Sequence, residues 1–278
     1  MRFLCGSYSL SLTQPLVMGI VNVTPDSFFD GGNYQHSDQA INHGLRLIEQ
    51  GADILDIGGE SSRPLAQPIS QQEEMDRVIP VVEGLVKAGI PLSLDSRRPE
   101  VMRSGVSAGI SLINDVSALE TEGAVDVIVH SQVGVCLTHR RGTPETMDVL
   151  AHYRDVVTEV SAFLTERAQE LVCAGVSRER IVLDPGIGFA KKFAHNLSLM
   201  RSIHSLKNAG YPVAIGVSRK RFIGDLLGNK SVDGRLMGSV MAAVWAINEG
   251  ASLIRVHDVE ATVEALKVWR ELSGTNDG

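Results

Sequence analysis

Eight short apolar runs, separated by stretches of helical periodicity, constrain this chain more than any other feature. They are LVMGIVNV (16–23), ILDIG (54–58), PLSLD (91–95), SLIND (111–115), GVCLTH (134–139), IVLDPG (181–186), PVAIGVS (212–218) and LIRVHD (253–258). Each is rich in Val, Ile and Leu and bounded by turn residues, the pattern of buried parallel strands. Aromatics are only 5% of a chain that is 44% hydrophobic, so branched aliphatics must fill the core. That bias suits a parallel sheet covered on both faces.

The intervening segments have helical spacing. Met75, Val78, Ile79, Val82, Leu85 and Val86 share a face, with Ser70 and Glu73 in front as a capping box. Pro80 interrupts that pattern and predicts a kink or a late start. Val156, Val160, Phe163, Leu164, Ala168 and Leu171 form a second stripe closed by Gly175. Ile41, Leu45 and Ile48, followed by Gly51, form a third.

Strand and helix alternating eight times allow a closed barrel or an open doubly wound sheet. An open sheet concentrates ligand residues at its switch point, whereas a barrel draws them from nearly every strand end. Here nearly every run ends in a polar residue: Asn22, Glu60, Asp95, Asn114, His139, Asp184, Ser218 with Lys220, and Arg255 with His257. The predicted fold is a single α/β domain over 1–278, a (β/α)8 TIM barrel. FLCGSYSLSL adds a small N-terminal hairpin across its bottom, and SGTNDG reads as a frayed tail.

A strand-end Asp is a helix N-cap or a ligand group. Asp95 and Asp184 together with Asn114 favour the second, offering acceptors to a flat heterocycle rich in N–H groups. Ser218, Arg219, Lys220, Arg255 and His257 follow the last two runs, where barrels often bind phosphate, and Arg63 is placed to reach the same anion. Arg255 lies inside an apolar run, where an unpaired charge is expensive, so it needs a protein carboxylate or an anionic ligand. Two loops, 22–33 and 58–70, are long and rich in Gly and Pro and read as lids, the first carrying Phe28 and Phe29.

The formal net charge of −7 argues against nucleic acid as a partner. Three unpaired-looking cysteines, no leader-like segment and no run long enough to span a membrane point to a reducing, cytoplasmic setting. Cys136 reads as a small buried hydrophobe. The chain has no HExxH, Walker lysine loop, GxSxG or GxGxxG after a strand, so neither a zinc hydrolase nor a dinucleotide fold is indicated.

MGIVNVTPDSFFDGG, LDIGGESSRP, LINDV, VLDPGIGFAKKFAHN, GVSRKRFIG and IRVHDV, in this order from about Met18 to about Ala265, resemble the motif set of the dihydropteroate synthase family. The resemblance implies condensation of 6-hydroxymethyl-7,8-dihydropterin diphosphate with p-aminobenzoate, releasing pyrophosphate, in folate synthesis. It implies that Asp95, Asn114 and Asp184 hold the pterin, with Lys220 beside it. Lys220, Asp95 and Asp184 would be the catalytic set. Arg255, His257 and Arg63 would bind the diphosphate, and Asn22 would ligate Mg²⁺ on it. Ser62, Phe28, Pro64, Phe189, Lys220 and Ser218 would form the p-aminobenzoate pocket, Ser62 also touching the pterin diphosphate. It further implies a homodimer and a sulfonamide target.

The chain departs from the common pattern in places. Ser62 stands where Thr is frequent, and LDSRRP replaces DTxKP while keeping Asp95. LTHRRG stands where LMHMQG is common, so Thr138 replaces a Met and Arg140 and Arg141 add charge. Two alternatives are a pterin-dependent methyltransferase, which would not use the SRK and IRVH set, and a non-catalytic pterin-binding barrel.

Overall fold

Alternate residues of each apolar run face opposite ways, and this division builds the molecule. The computed structural model describes residues 1–23, 33–60 and 68–274. Phe28, Phe29, Ser62, Arg63 and Pro64, with most of the two predicted lids, lie outside the described residues, as does 275–278 of the predicted tail.

Arg2–Cys5 (β1) and Tyr8–Ser11 (β2) pair as an antiparallel hairpin. The runs supply Leu16–Asn22 (β3), Ile54–Gly58 (β4), Leu92–Asp95 (β5), Leu112–Asp115 (β6), Gly134–Thr138 (β7), Ile181–Asp184 (β8), Ala214–Ile215 (β9) and Leu253–Val256 (β10). The helices are Asn33–Glu49 (α1), Gln71–Leu85 (α2), Pro99–Ala108 (α3), Ala124–Val129 (α4), Val156–Cys173 (α5), Phe193–Met200 (α6), Ile203–Lys207 (α7), Arg221–Leu226 (α8), Leu236–Asn248 (α9) and Val259–Ser273 (α10).

The parallel sheet runs β8-β7-β6-β5-β4-β3-β10-β9. A bridge between Leu183 and Val213, with Leu183 N–H donating to Pro212 O at 2.9 Å, joins the two ends. This closure makes the sheet a barrel. Side chains alternate with period two along a strand. Leu55, Ile57, Leu94, Ile113, Val135, Leu137, Leu183, Ile215 and Ile254 therefore face outward and belong to the core shared with the helices. Leu16, Met18, Ile54, Leu112, Cys136, Val182, Ala214 and Leu253 face inward and form a separate core with Phe3 and Cys5 of the hairpin. The hairpin thus closes the barrel bottom, as expected. Gly134 is required there: a Cβ on it would lie 2.7 Å from Phe3 Cζ.

Two helix details differ from expectation. Ser70 accepts the Glu73 N–H at 3.1 Å, but the Glu73 carboxylate goes to Arg77 at 2.6 Å, so only half of the capping box forms. Helix α2 starts on time and runs through Pro80, which sits on its exposed face. In α1, Leu45 is exposed; Ala40, Gly44 and Leu47 face the core instead. A Cβ on Gly44 would come within 2.8 Å of Leu85, so Gly44 lets α1 approach α2 closely.

Candidate active site

Above the apolar layer the same inward positions become polar. The register aligns Asn22 with Gly58, Gly58 with Asp95, and Asp95 with Asn114, one level across four strands. Asp184 stands level with Thr138, and Arg255 projects from β10. The barrel is therefore a well with an apolar floor and a charged upper wall.

Arg255 finds its anions within the protein. Its Nε donates to Asp56 at 2.5 Å and its Nη2 to Asp95 at 2.9 Å. Asp56 is fully buried and also accepts from Ser93 Oγ at 2.5 Å and Asn114 Nδ2 at 3.1 Å. Burial pushes the Asp95 carboxyl up to about 7; Arg255 opposes the rise and the charges of Asp56, Glu74 and Asp115 reinforce it. Asp184 is also raised by burial, against the pull of Lys220 and a hydrogen bond from Gly186 N–H.

Lys220 closes the other side. Its Nζ donates to Ile187 O at 2.6 Å and lies 4.5 Å from the centre of the Phe189 ring. Burial brings its ammonium down to about 8, with Asp184 resisting and Arg255 adding to the fall. The preceding residue, Arg219, holds a left-handed backbone (φ +55°). Such strain persists only where surroundings over-determine it. Here Asp258 grips the Arg219 guanidinium at 2.9 and 2.5 Å, and Ser239 Oγ accepts its N–H at 2.9 Å. Ser218 Oγ accepts the His257 N–H at 3.1 Å and lies 3.1 Å from His257 Nδ1.

The structure thus brings together Asp95, Asn114, Asp184, Lys220 and Arg255, sets Phe189 against Lys220, and joins Ser218 to His257. Glu60 lies off the well: it takes Arg98 at 2.8 Å and Arg97 at 3.4 Å. Arg141 also points elsewhere. It stacks 3.9 Å from the centre of the Tyr153 ring and pairs with Glu159 at 2.8 Å, bracing the loop before α5. Thr138 is buried at the inward end of β7.

The sequence reading missed Asp56. Its signal was present: a carboxylate inside an apolar run needs a partner by the argument that was applied to Arg255.

The model of the pterin binding enzyme family matches residues 18–257. The chain is 47% identical over 271 residues to the dihydropteroate synthase of Neisseria meningitidis serogroup C, covering 96% of each. The chain belongs to the dihydropteroate synthase family. A solved structure of the Xanthomonas albilineans dihydropteroate synthase with 4-aminobenzoic acid matches with a TM-score of 0.92 at 49% identity, covering 98% of each chain. The same enzyme in complex with 7,8-dihydropteroate gives 0.90 at 47%, covering 98% of this chain and 99% of that one. These relatives are synthases over nearly their whole length, which sets aside the methyltransferase and non-catalytic alternatives.

Proposed function

We propose that the chain joins 6-hydroxymethyl-7,8-dihydropterin diphosphate to p-aminobenzoate, giving 7,8-dihydropteroate and pyrophosphate in folate synthesis. The observation that carries this reading is one well holding Asp95, Asn114 and Asp184 beside the cations Lys220 and Arg255.

Asp95, Asn114 and Asp184 take the hydrogen-bonding edge of the pterin, with Lys220 beside the ring. The bond between the methylene carbon and the diphosphate oxygen breaks, and its electron pair leaves with the diphosphate. The methylene gains cationic character, which fixed carboxylates stabilise; Arg255, His257 and Arg63 take the charge of the leaving group. The aryl amine nitrogen then supplies the pair for the new carbon–nitrogen bond and releases a proton. No strong base is needed, because an aryl amine is already a neutral nucleophile. Ser62, Phe28, Pro64, Phe189 and Ser218 line the p-aminobenzoate pocket. The contacts of Arg255 with Asp56 and Asp95 use only part of its donor fork, leaving the remainder for the diphosphate.

Among the described residues no group of three or more His, Cys, Asp or Glu is placed to hold a metal ion. A Mg²⁺ that arrives on a diphosphate needs only one or two protein oxygens. The Asn22 amide at the end of β3 fits that requirement and would hold the ion, whose charge offsets that of the diphosphate.

The working unit is a homodimer. Met237, Met241 and Trp245 of α9, with Val268 and Leu272 of α10, leave large apolar side chains exposed, Met237 at 76% and Leu272 at 82%. Such an area calls for a partner surface, and a second copy supplies it. Cys5, Cys136 and Cys173 are all free, and no helix among the described residues is long and apolar enough to cross a membrane; the reading places the chain in the cytoplasm.

Purified protein, the pterin diphosphate, p-aminobenzoate and Mg²⁺ should release pyrophosphate in step with dihydropteroate. No release above an enzyme-free control would sink the assignment.

A further inference from the structure

Lys191 is a buried amine that the mechanism above does not use, and burial pulls its pKa well below the usual lysine range, with Asp184 resisting. It is 8% exposed, and no carboxylate among the described residues pairs with it. Its Nζ instead donates to His139 O at 3.2 Å and Phe189 O at 2.9 Å and lies 3.0 Å from His139 Nδ1. A charged or a neutral amine can make all three contacts, the neutral one by accepting from an Nδ1–H tautomer. Two of these partners sit just past β7 and the third on the loop after β8, so the side chain ties two segments together.

That loop is bent against its preferences. Gly186, Gly188 and Ala190 all have positive φ, and Ala190, at +48°, lacks glycine's freedom. A Cβ on Gly186 would lie 1.9 Å from His139 O, so the loop backbone presses directly on the end of β7. Tyr153 OH donates to Ala190 O at 3.1 Å; Asn196 accepts the Gly188 N–H at 2.8 Å and donates to Lys191 O at 3.3 Å. What the loop presents to the well is the Ile187 carbonyl and the Phe189 ring, both of which meet Lys220.

We propose that Lys191 is a positioning residue: by tying the Phe189 carbonyl to the end of β7, it fixes the Phe189 ring and the Ile187 carbonyl where Lys220 meets them, and so governs capture of p-aminobenzoate. The inference rests on the reading of Phe189 as a wall of the p-aminobenzoate pocket.

Lys191→Met keeps the stem and removes the donors. It should raise KM for p-aminobenzoate about tenfold while KM for the pterin diphosphate changes less than about twofold. In the wild type the His139 ring nitrogens should show the shifts of one fixed neutral tautomer, and in Lys191→Met those shifts should move towards a tautomer mixture, the ring staying neutral because burial is the main cause that holds its pKa down at about 3. Phe189→Ala separates the two readings. If it leaves KM for p-aminobenzoate unchanged, the pocket reading falls and the inference with it. If it raises that KM while Lys191→Met changes neither KM, or both equally, the inference alone is overturned. Unmoved His139 shifts overturn it too. Should Lys191→Met fail to fold, Tyr153→Phe frees the Ala190 carbonyl of the same loop: a selective rise in KM for p-aminobenzoate, about threefold, supports the inference, and an equal change in both KM values overturns it.

Discussion

Two side chains in the well set opposite limits on pH. In the proposed function Asp95 binds the pterin edge as a carboxylate, and its pKa of about 7 in the free protein means that this form is lost as pH falls below that value. In the same proposal Lys220 works as an ammonium, and its pKa of about 8 means that this form is lost as pH rises above it. The pH dependence of kcat/KM for the pterin diphosphate should therefore be a narrow bell, since that quantity reports ionisations of the free enzyme. Asp95→Asn should abolish the acidic limb in whatever activity remains. A flat profile between roughly pH 6 and 9 would count against both assignments. Most of these residues were legible in the sequence because a polar group directly after an apolar run has few bland explanations. Asp56 was not, because it sits in mid-run, where a short window averages it away; only the inward parity it shares with the floor residue Ile54 exposes it.

Among the elements, the hairpin carries the clearest energetic consequence. Phe3 is fully buried against the inward-facing floor, at the close approach to Gly134. Phe3→Ala should cost about 3–5 kcal/mol of stability, by loss of transfer energy and an unfilled cavity. Denaturant unfolding would measure this, and both KM values should stay near wild type because the floor lies below the reacting groups. A large KM change at unchanged stability would contradict that separation. Periodicity found the hairpin, the N-cap of α2 and the stripe of α5, but it misassigned Leu45. Ile41 and Ile48 do pack against the core, but its centre on α1 is Ala40, Gly44 and Leu47, because the missing side chain of Gly44 admits α2.

At the scale of the whole molecule, eight strand–helix repeats allowed two architectures, and the contact between Leu183 and Val213 chose one of them. No local pattern encodes that contact, because it depends on the accumulated twist and tilt of every strand. The second large-scale feature is the apolar surface of α9 and α10. If that surface seats the proposed second copy, Met241→Glu should shift sedimentation from dimer to monomer at micromolar concentration; a monomeric wild type would refute the proposed dimer.

The plugged floor has a consequence for traffic. A tube open at both ends lets two ligands arrive and depart independently, whereas a blind shaft imposes a queue. A heterocycle seated at the level of Asp95 and Asn114 can leave only upward, past whatever has bound above it. The pterin should therefore load first, and saturating p-aminobenzoate should trap it: in a pulse–chase experiment, bound labelled pterin diphosphate should partition to product rather than exchange with the chase.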